Sequence, residues 1–384
     1  MTPYLIIFSF PLILHFAFFN SDKKQIIPFY LFLFLIIFYL IGFRGHVGGD
    51  WDRYFFLFYN ISTQYSLYEF TNIKFRPEYL FNVLLWIFKY FTEDILYFQA
   101  AISGIMILNL FIFSFFQKRP FLAVLIAIPI GIFLLTMGYV RQGAAFSFIL
   151  LSILALDRNK LITSIIFFIA SLGFHISTLI FFPIFFLYIL RIEIRLIIYL
   201  IASFLFIFLI INLQFISFDA VINKLKFFPP LYDLAKQYLL DADQTSYGVY
   251  YRIIPFFLSV VIYFIFLKQN INVIHNGIAE FFILLFISCV FLLLFDFTTA
   301  ADRFALYSLA FQIVILANLD LLFNSKINKI IVNLLVMLTF LILLLFWLLN
   351  SNESKQHWRP FYMDFHYGKR YSEKEHEWYL FNTY

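Results

Sequence analysis

The sequence predicts an all-α, polytopic integral membrane protein, and three observations carry that reading. Hydrophobic residues make up 63% of the chain, 59 of them phenylalanine, and charged residues only 13%, more apolar surface than a water-soluble fold can hide. The apolar residues gather into runs of up to some two dozen positions. Between the runs the basic residues sit in scattered pairs, as the topology rule for membrane loops produces. The net charge of +5 therefore belongs to membrane orientation, and nucleic-acid binding is set aside.

Taken in order, the runs lie at 3–19, 26–43, 95–116, 121–140, 143–156, 161–174, 176–190, 196–217, 250–267, 278–295, 303–322 and 329–349, read as about 12 transmembrane helices. Several are shorter than the roughly 20 residues a perpendicular helix needs, so their ends are uncertain by several residues. The first run has no basic stretch before it and no small-residue cleavage site after it, unlike a cleaved signal. The region 161–190 reads as one tilted helix or as two short ones; Gly173-Phe174-His175 and Pro183 favour two, meeting at His175. The run 77–91, opened by Pro77, is too short to cross comfortably and is expected to be re-entrant or to lie at the surface. The single cysteine, Cys289, falls inside an apolar run, which excludes disulfides and thiolate metal sites.

This gives one polytopic domain over 1–349, with external loops 44–94 and 218–249, and an external aromatic-rich tail over 350–384. The second loop carries Phe228-Pro229-Pro230 and then an amphipathic stretch, Leu231 to Leu240, that reads as a lid or an interfacial helix. In the tail, Trp358, Tyr362, His366, Tyr367, Trp378 and Tyr379 read as an aromatic belt or as a platform for stacking sugars.

Orientation follows from the connectors. Lys23/Lys24, Lys118/Arg119, Arg158/Lys160, Arg191/Arg195, Lys268 and Lys326/Lys329 all fall on the cytoplasmic side of one topology, provided that 77–91 does not cross. If 77–91 spans, everything downstream inverts. The same topology collects a different set on the outer face: the stretch Arg44 to Tyr54, Arg76-Pro77-Glu78-Tyr79, Arg141-Gln142, His175, Arg252 and Asp302-Arg303. Charges at such depth are functional candidates.

The stretch Arg44-Gly45-His46-Val47-Gly48-Gly49-Asp50-Trp51-Asp52-Arg53-Tyr54 holds two arginines, two aspartates, a histidine and three glycines at the end of a membrane run. Arg44 there is either a helix-end anchor or an anion ligand. An arginine at the depth of Arg141 costs about 2.5–3.5 kcal/mol to insert and so needs a partner, either Asp50 or Glu78, or else a bound anion. Arg44, Arg141, Arg252 and Arg303 converging from different helices would suit a diphosphate, because each guanidinium donates two parallel hydrogen bonds. Asp50, Glu78 and His175 are the candidates to take a proton from an attacking hydroxyl, although His175 reads equally as a hydrogen-bonded structural residue. The histidines are dispersed and the acids form no cluster, so no metal site and no cofactor is expected. Without a phosphate loop or dinucleotide fingerprint, the energy for a reaction comes from an activated substrate or a gradient.

Four motifs in order, Arg44-Gly45…Gly49-Asp50-Trp51…Tyr54, Arg76-Pro77-Glu78-Tyr79, Arg141-Gln142…Ala145 and Phe174-His175-Ile176-Ser177, give the chain a pattern that resembles the EpsG-like family of Wzy-type polymerases of exopolysaccharide, capsule and O-antigen. The resemblance covers most of residues 40–190; beyond 200 it rests on hydropathy, Arg252 and Arg303. It implies a glycosyltransferase of the bacterial inner (cytoplasmic) membrane, working on the periplasmic face. Such an enzyme joins oligosaccharide repeat units carried on undecaprenyl diphosphate, in the company of a flippase and a chain-length regulator. On this carry-over Arg44, Arg141, Arg252 and Arg303 meet the diphosphate, with Gln142, Tyr54 and Arg76 beside them as substrate-binding residues. Asp50, His175 and Glu78 activate or position the acceptor. Asp50 is followed by Trp51-Asp52, so either aspartate fits that role, and the tail after residue 350 matches nothing in the family pattern.

Two other classes compete. A flippase of lipid-linked sugars would place its arginines at the midplane between repeated halves, and no internal repeat is visible. A membrane acyltransferase with a cytoplasmic acyl donor would leave a histidine or arginine cluster on the inner side, where only topology pairs are found.

Overall fold

The computed structural model describes residues 2–45, 47–60, 78–189, 248–294, 297–358 and 361–363, and it is a bundle of α-helices. Arg76, Arg191 and Arg195, the run 196–217, the loop 218–249 up to residue 247, and His366, Tyr367, Trp378 and Tyr379 of the tail lie outside the described residues. Among the described residues, six helices are long and apolar enough to cross a membrane: Lys23–Gly42, Ile95–Phe115, Val140–Asp157, Gly248–Lys268, Asn276–Leu294 and Lys326–Asn350. Thr298–Tyr307 and Leu309–Ala317, joined through a 44° bend, make a seventh if counted as one span. Beside them stand shorter apolar helices, among them Thr2–Ala17, Tyr79–Phe91 and Leu161–Phe174, so, among the described residues, six or seven of the twelve expected spans have the length to cross. Leucine, isoleucine and phenylalanine remain exposed along the outer helices, as a lipid-facing surface requires.

Local chemistry sets the boundaries. Asp94 caps the helix Ile95–Phe115 by accepting from the Leu96 N–H at 2.8 Å, and Pro120 occupies the first turn of Pro120–Ala127, where its missing N–H costs nothing. That helix continues as a π-helix over Ile128–Thr136, a wide turn that includes Pro129 and Gly131. The region 161–190 resolves as two pieces: Leu161–Phe174 ends before an extended His175, and a 3-10 turn, Ile176–Phe181, leads into Pro183–Ile189. The expected single run 303–322 is instead broken near Ser308, with the polar first half starting at Thr298.

The connectors at Lys23, Lys118/Arg119 and Arg158 meet at one end of the bundle. Lys23 Nζ donates to the Phe115 carbonyl at 2.9 Å, and the Arg119 guanidinium pairs with Asp320 at 2.6 Å. There the Lys118 N–H reaches Asn318, Arg158 lies 3.6 Å over the Phe116 ring, and the His275 N–H donates to Asp157 at 2.8 Å.

The helix Tyr79–Phe91 starts and finishes at the other end. Glu78 before it pairs with Arg141, and Gln99, one turn into the next helix, donates to the Arg44 carbonyl at 2.6 Å. It therefore does not cross the bundle.

That second end is closed by the segment after residue 350. The helix Asn352–His357 leads to Trp358, which is fully buried and donates from Nε1 to the Phe133 carbonyl of the π-helix at 3.0 Å. Tyr362–Met363 then pairs antiparallel with Arg44–Gly45. Trp358 is thus a packing residue, neither belt nor sugar platform. Gly48 sits under this cover with φ +125°, and a Cβ there would lie 1.8 Å from the Met137 carbonyl oxygen. Gly48→Ala is expected to cost about 1–3 kcal/mol from backbone strain alone, read as a lower melting temperature in detergent.

Candidate functional site

The Arg44 stretch leads to a correction. Arg44 was expected on the diphosphate, but its guanidinium is 1% exposed and its donors are taken by the protein. Nε donates to Val47 O at 3.0 Å, Nη1 to Ile41 O at 2.6 Å and to Ser103 Oγ at 3.2 Å, and Nη2 to the Thr136 and Met137 carbonyls at 3.1 Å. These carbonyls end one helix and the π-helix, where no intrahelical N–H is left to reach them. Arg44 is a structural cation that ties two helix ends together, and no donor remains for a ligand.

Beside it runs a connected polar network built from four separate segments. Asp50 stands before the helix Trp51–Asn60 and accepts from the Tyr54 hydroxyl at 3.0 Å, one helical turn away. Burial, and then the neighbouring Asp50 carboxylate, push the Tyr54 phenol up, so it stays protonated as the donor. Arg141 lies in the first turn of Val140–Asp157; its Nε donates to the Tyr54 oxygen at 3.3 Å and its Nη1 is ion-paired with Glu78 Oε2. Of the two partners open to Arg141, Glu78 is the direct one, and Asp50 is reached through Tyr54. The other Glu78 oxygen lies 3.5 Å from His175 Nε2. A carboxylate immediately before a helix is favoured by the dipole there.

Close packing holds Glu78 near His175. A Cβ on Gly173 would meet Leu80 at 2.6 Å, so a glycine is what lets Leu161–Phe174 approach the helix Tyr79–Phe91. The chain then turns at His175, whose Nδ1 lies 2.6 Å from Ser177 Oγ and accepts from the Ser177 N–H at 3.1 Å. Ser177 Oγ in turn bonds the Tyr307 hydroxyl, from the far half of the sequence.

A second cluster adjoins the first through consecutive residues. Gln142, next to Arg141, accepts from Arg303 Nη1 at 3.1 Å, and Arg303 lies 4.4 Å over the Tyr139 ring. Asp302, next to Arg303, is ion-paired with Arg252, both of them buried. The four expected arginines therefore differ in state. Arg44 is saturated by carbonyls, Arg141 and Arg252 each face a carboxylate, and half-buried Arg303 has no acidic partner among the described residues.

The structure thus brings Asp50, Tyr54, Glu78, Arg141 and His175 into one network and Gln142, Arg252 and Arg303 into the next. Sequence reasoning passed over Ser177 and Tyr307, and it gave Asp302 no role. Ser177 was visible within Phe174-His175-Ile176-Ser177, but a tyrosine 130 residues further on gave no local signal. No group of three or more histidine, cysteine or acidic side chains able to hold a metal occurs among the described residues.

No curated protein and no solved structure matches the chain. The model of the EpsG family, which is associated with exopolysaccharide polymerisation, a glycosyl-transfer activity, matches residues 27–363. That match spans both clusters and the strand that closes over Arg44, so the chain belongs to the EpsG family.

Proposed function

We propose that this chain is a polysaccharide polymerase of the bacterial inner membrane that joins oligosaccharide repeat units carried on undecaprenyl diphosphate, acting on the periplasmic face. The observation that carries the reading is Arg303, a half-buried guanidinium with no carboxylate in ion-pair distance among the described residues, bonded to Gln142, whose neighbour Arg141 pairs with Glu78. A guanidinium with no carboxylate beside it among the described residues is costly near membrane depth unless an anion binds there. The diphosphate of a lipid-linked sugar meets that need. Arg141 lies one residue from the Gln142 that holds Arg303 and supplies the second guanidinium.

The side of the membrane follows from charge. The end that gathers Lys23, Lys118, Arg119 and Arg158 faces the cytoplasm by the positive-inside rule, and both clusters then face outward. Nucleotides are scarce there, and a lipid diphosphate brings its own leaving group. In the transfer, an acceptor hydroxyl loses its proton to a protein base and its oxygen bonds the anomeric carbon of the growing chain. The bond from that carbon to the diphosphate breaks, and its electron pair leaves with the diphosphate, which the arginines stabilise.

Cells lacking the protein test the reading. They are expected to accumulate single repeat units on lipid, exposed outward, with no long polymer, as read by mass spectrometry of extracted glycolipids. Units trapped on the cytoplasmic face would identify a flippase instead, and full-length polymer lacking an acyl group would identify an acyltransferase. Arg303→Ala should raise KM for the lipid-linked unit about 10- to 100-fold, in line with the loss of a charge-assisted hydrogen-bond pair. Arg303→Lys should recover part of that, and the melting temperature of both should match the wild type.

A further inference from the structure

We infer that a groove between the helices Gly248–Lys268 and Lys326–Asn350 holds the polyprenyl chain of the lipid-linked repeat unit and leads it from the bilayer to the arginines; this rests on the polymerase reading. The π-helix forms the floor with Ile130 and Leu134, and Leu343 and Trp347 stand along one side. Tyr251 and Arg252 lie along the other, one turn into their helix.

The first argument is the distribution of charge along the groove. Arg252 is one turn from the outer end of its helix, and Trp347 is less than a turn from the outer end of the facing one. Leu343 lies deeper, by about 6 Å of helical rise. Of the described side chains that line the groove, Arg252 alone is charged. The groove thus has the division of a lipid, with an ionic group toward the headgroups and hydrocarbon beneath. Arg252 is ion-paired with Asp302, and the next residue is Arg303, so these three side chains leave one net positive charge beside the groove. A lipid whose diphosphate is held at Arg303 has its chain pass Asp302 and Arg252 into the apolar part. Gly248 keeps the top clear, since a Cβ there would stand 3.3 Å from both terminal nitrogens of Arg252.

The second argument is access. Leu343 and Trp347 are only partly buried, and Ile342 and Phe346 beside them are exposed, as are Ile254 and Phe257 on the facing helix. The groove therefore opens sideways into the outer half of the bilayer. The rings of Tyr251 and Phe346 meet at 4.7 Å at its outer end, between the hydrocarbon and the water. A chain enters without leaving an apolar medium, so the transfer itself gains little, because lipid tails are as apolar as leucine. What the groove contributes is position: it holds the diphosphate, and with it the anomeric carbon, where the arginines can act. A phospholipid also joins an anion to a chain. Continuity with Arg303, which calls for an anion, favours the substrate.

Two measurements on the full-length chain test this. In the first, benzoylphenylalanine replaces Trp347 or, as a control, the outward-facing Ile254. The purified variants are irradiated in vesicles of phosphatidylethanolamine and phosphatidylglycerol that contain undecaprenyl diphosphate, and the adducts are identified by mass spectrometry. A polyprenyl adduct enriched at Trp347 over Ile254 is expected. Phospholipid alone at Trp347, or the same mixture at both positions, would overturn the proposal. The second follows extension of repeat units extracted from the deletion strain, beside the same unit on a short geranyl chain. Leu343→Trp, which fills the groove, should slow extension of the long-chain unit about 10- to 100-fold, as for a misplaced reacting group, and leave the geranyl unit at the wild-type rate. Ile254→Trp should change neither. An equal loss on both chains, with normal melting, would overturn the proposal. Benzoylphenylalanine replaces one aromatic ring by another, so the adduct decides the occupant even where Leu343→Trp does not fold. If the wild type extends neither unit, the polymerase reading falls, while the adduct still decides what the groove holds.

Discussion

Replacing Arg141 by alanine is expected to lower the rate of polymerisation by about 10²- to 10⁴-fold, the equivalent of about 3–5 kcal/mol, while folded protein still reaches the membrane. That magnitude is what the loss of a preorganised donor to a leaving group costs, increased by displacement of the side chains it positions. Glu78 is 2% exposed and has Arg141 on Oε2, and the same guanidinium anchors the Tyr54 hydroxyl. One substitution therefore removes the proposed phosphate ligand, takes the cation from Glu78 and costs Tyr54 one of its two hydrogen bonds among the described residues. Arg141→Lys keeps the charge but not the planar fork, so it cannot reach Glu78 and Tyr54 together, and it should recover less than a tenth of the activity. The rates are read with extracted lipid-linked units and normalised to folded protein. Undiminished polymerisation in Arg141→Ala would show that the residue neither binds diphosphate nor holds Glu78.

Arg44→Ala should behave in the opposite way, as a failure of folding. Five donor contacts to carbonyls and Ser103 disappear together, and the carbonyls of Ile41, Val47, Thr136 and Met137 are left buried. Each buried group without a partner costs about 1–3 kcal/mol, which is a large share of the 5–15 kcal/mol that holds a typical domain. The expected result is little folded protein and a sharply lower melting temperature in detergent. Arg44→Lys has three donors where five are used and should fall between. Arg303→Ala, with normal melting and a raised KM, separates the two kinds of arginine in a single series.

The difference between these arginines marks where sequence reading stops. Composition and the spacing of apolar runs are enough for an all-α membrane bundle, because the bilayer imposes helix formation on any long apolar segment. The pairing of Arg141 with an acid, the break at His175 and the non-crossing of Tyr79–Phe91 were also legible, since each follows from a local signal: a charge at depth, a glycine and proline, a length. The state of Arg44 was not. Its neighbours give it the same appearance as Arg141, and only the tertiary approach of the π-helix supplies the carbonyls that consume it. Tyr307 was hidden for a related reason, because its hydroxyl meets Ser177 across the bundle and no spacing rule links them. The aromatic segment after residue 350 misled in the other direction. Tryptophan near a membrane end reads as interfacial, whereas Trp358 finds an acceptor in the open turn of a π-helix and is buried there.

The Trp358 contact also governs the order in which the protein can mature. The Tyr4 hydroxyl donates to the Trp358 carbonyl at 2.5 Å, across 354 positions of sequence. A ribosome therefore delivers the first helix long before the group that satisfies its buried hydroxyl. Until Trp358 arrives, at the outer end of the nascent bundle the Phe133 carbonyl of the π-helix lacks its indole donor and Arg44–Gly45 lacks the strand that pairs with it. Inserted helices alone do not complete that end; the segment that crosses last must be followed by one that folds back over it. A nascent chain interrupted between Asn350 and Trp358 would carry every described apolar helix and still leave the Phe133 carbonyl and the Arg44–Gly45 strand edge without these partners.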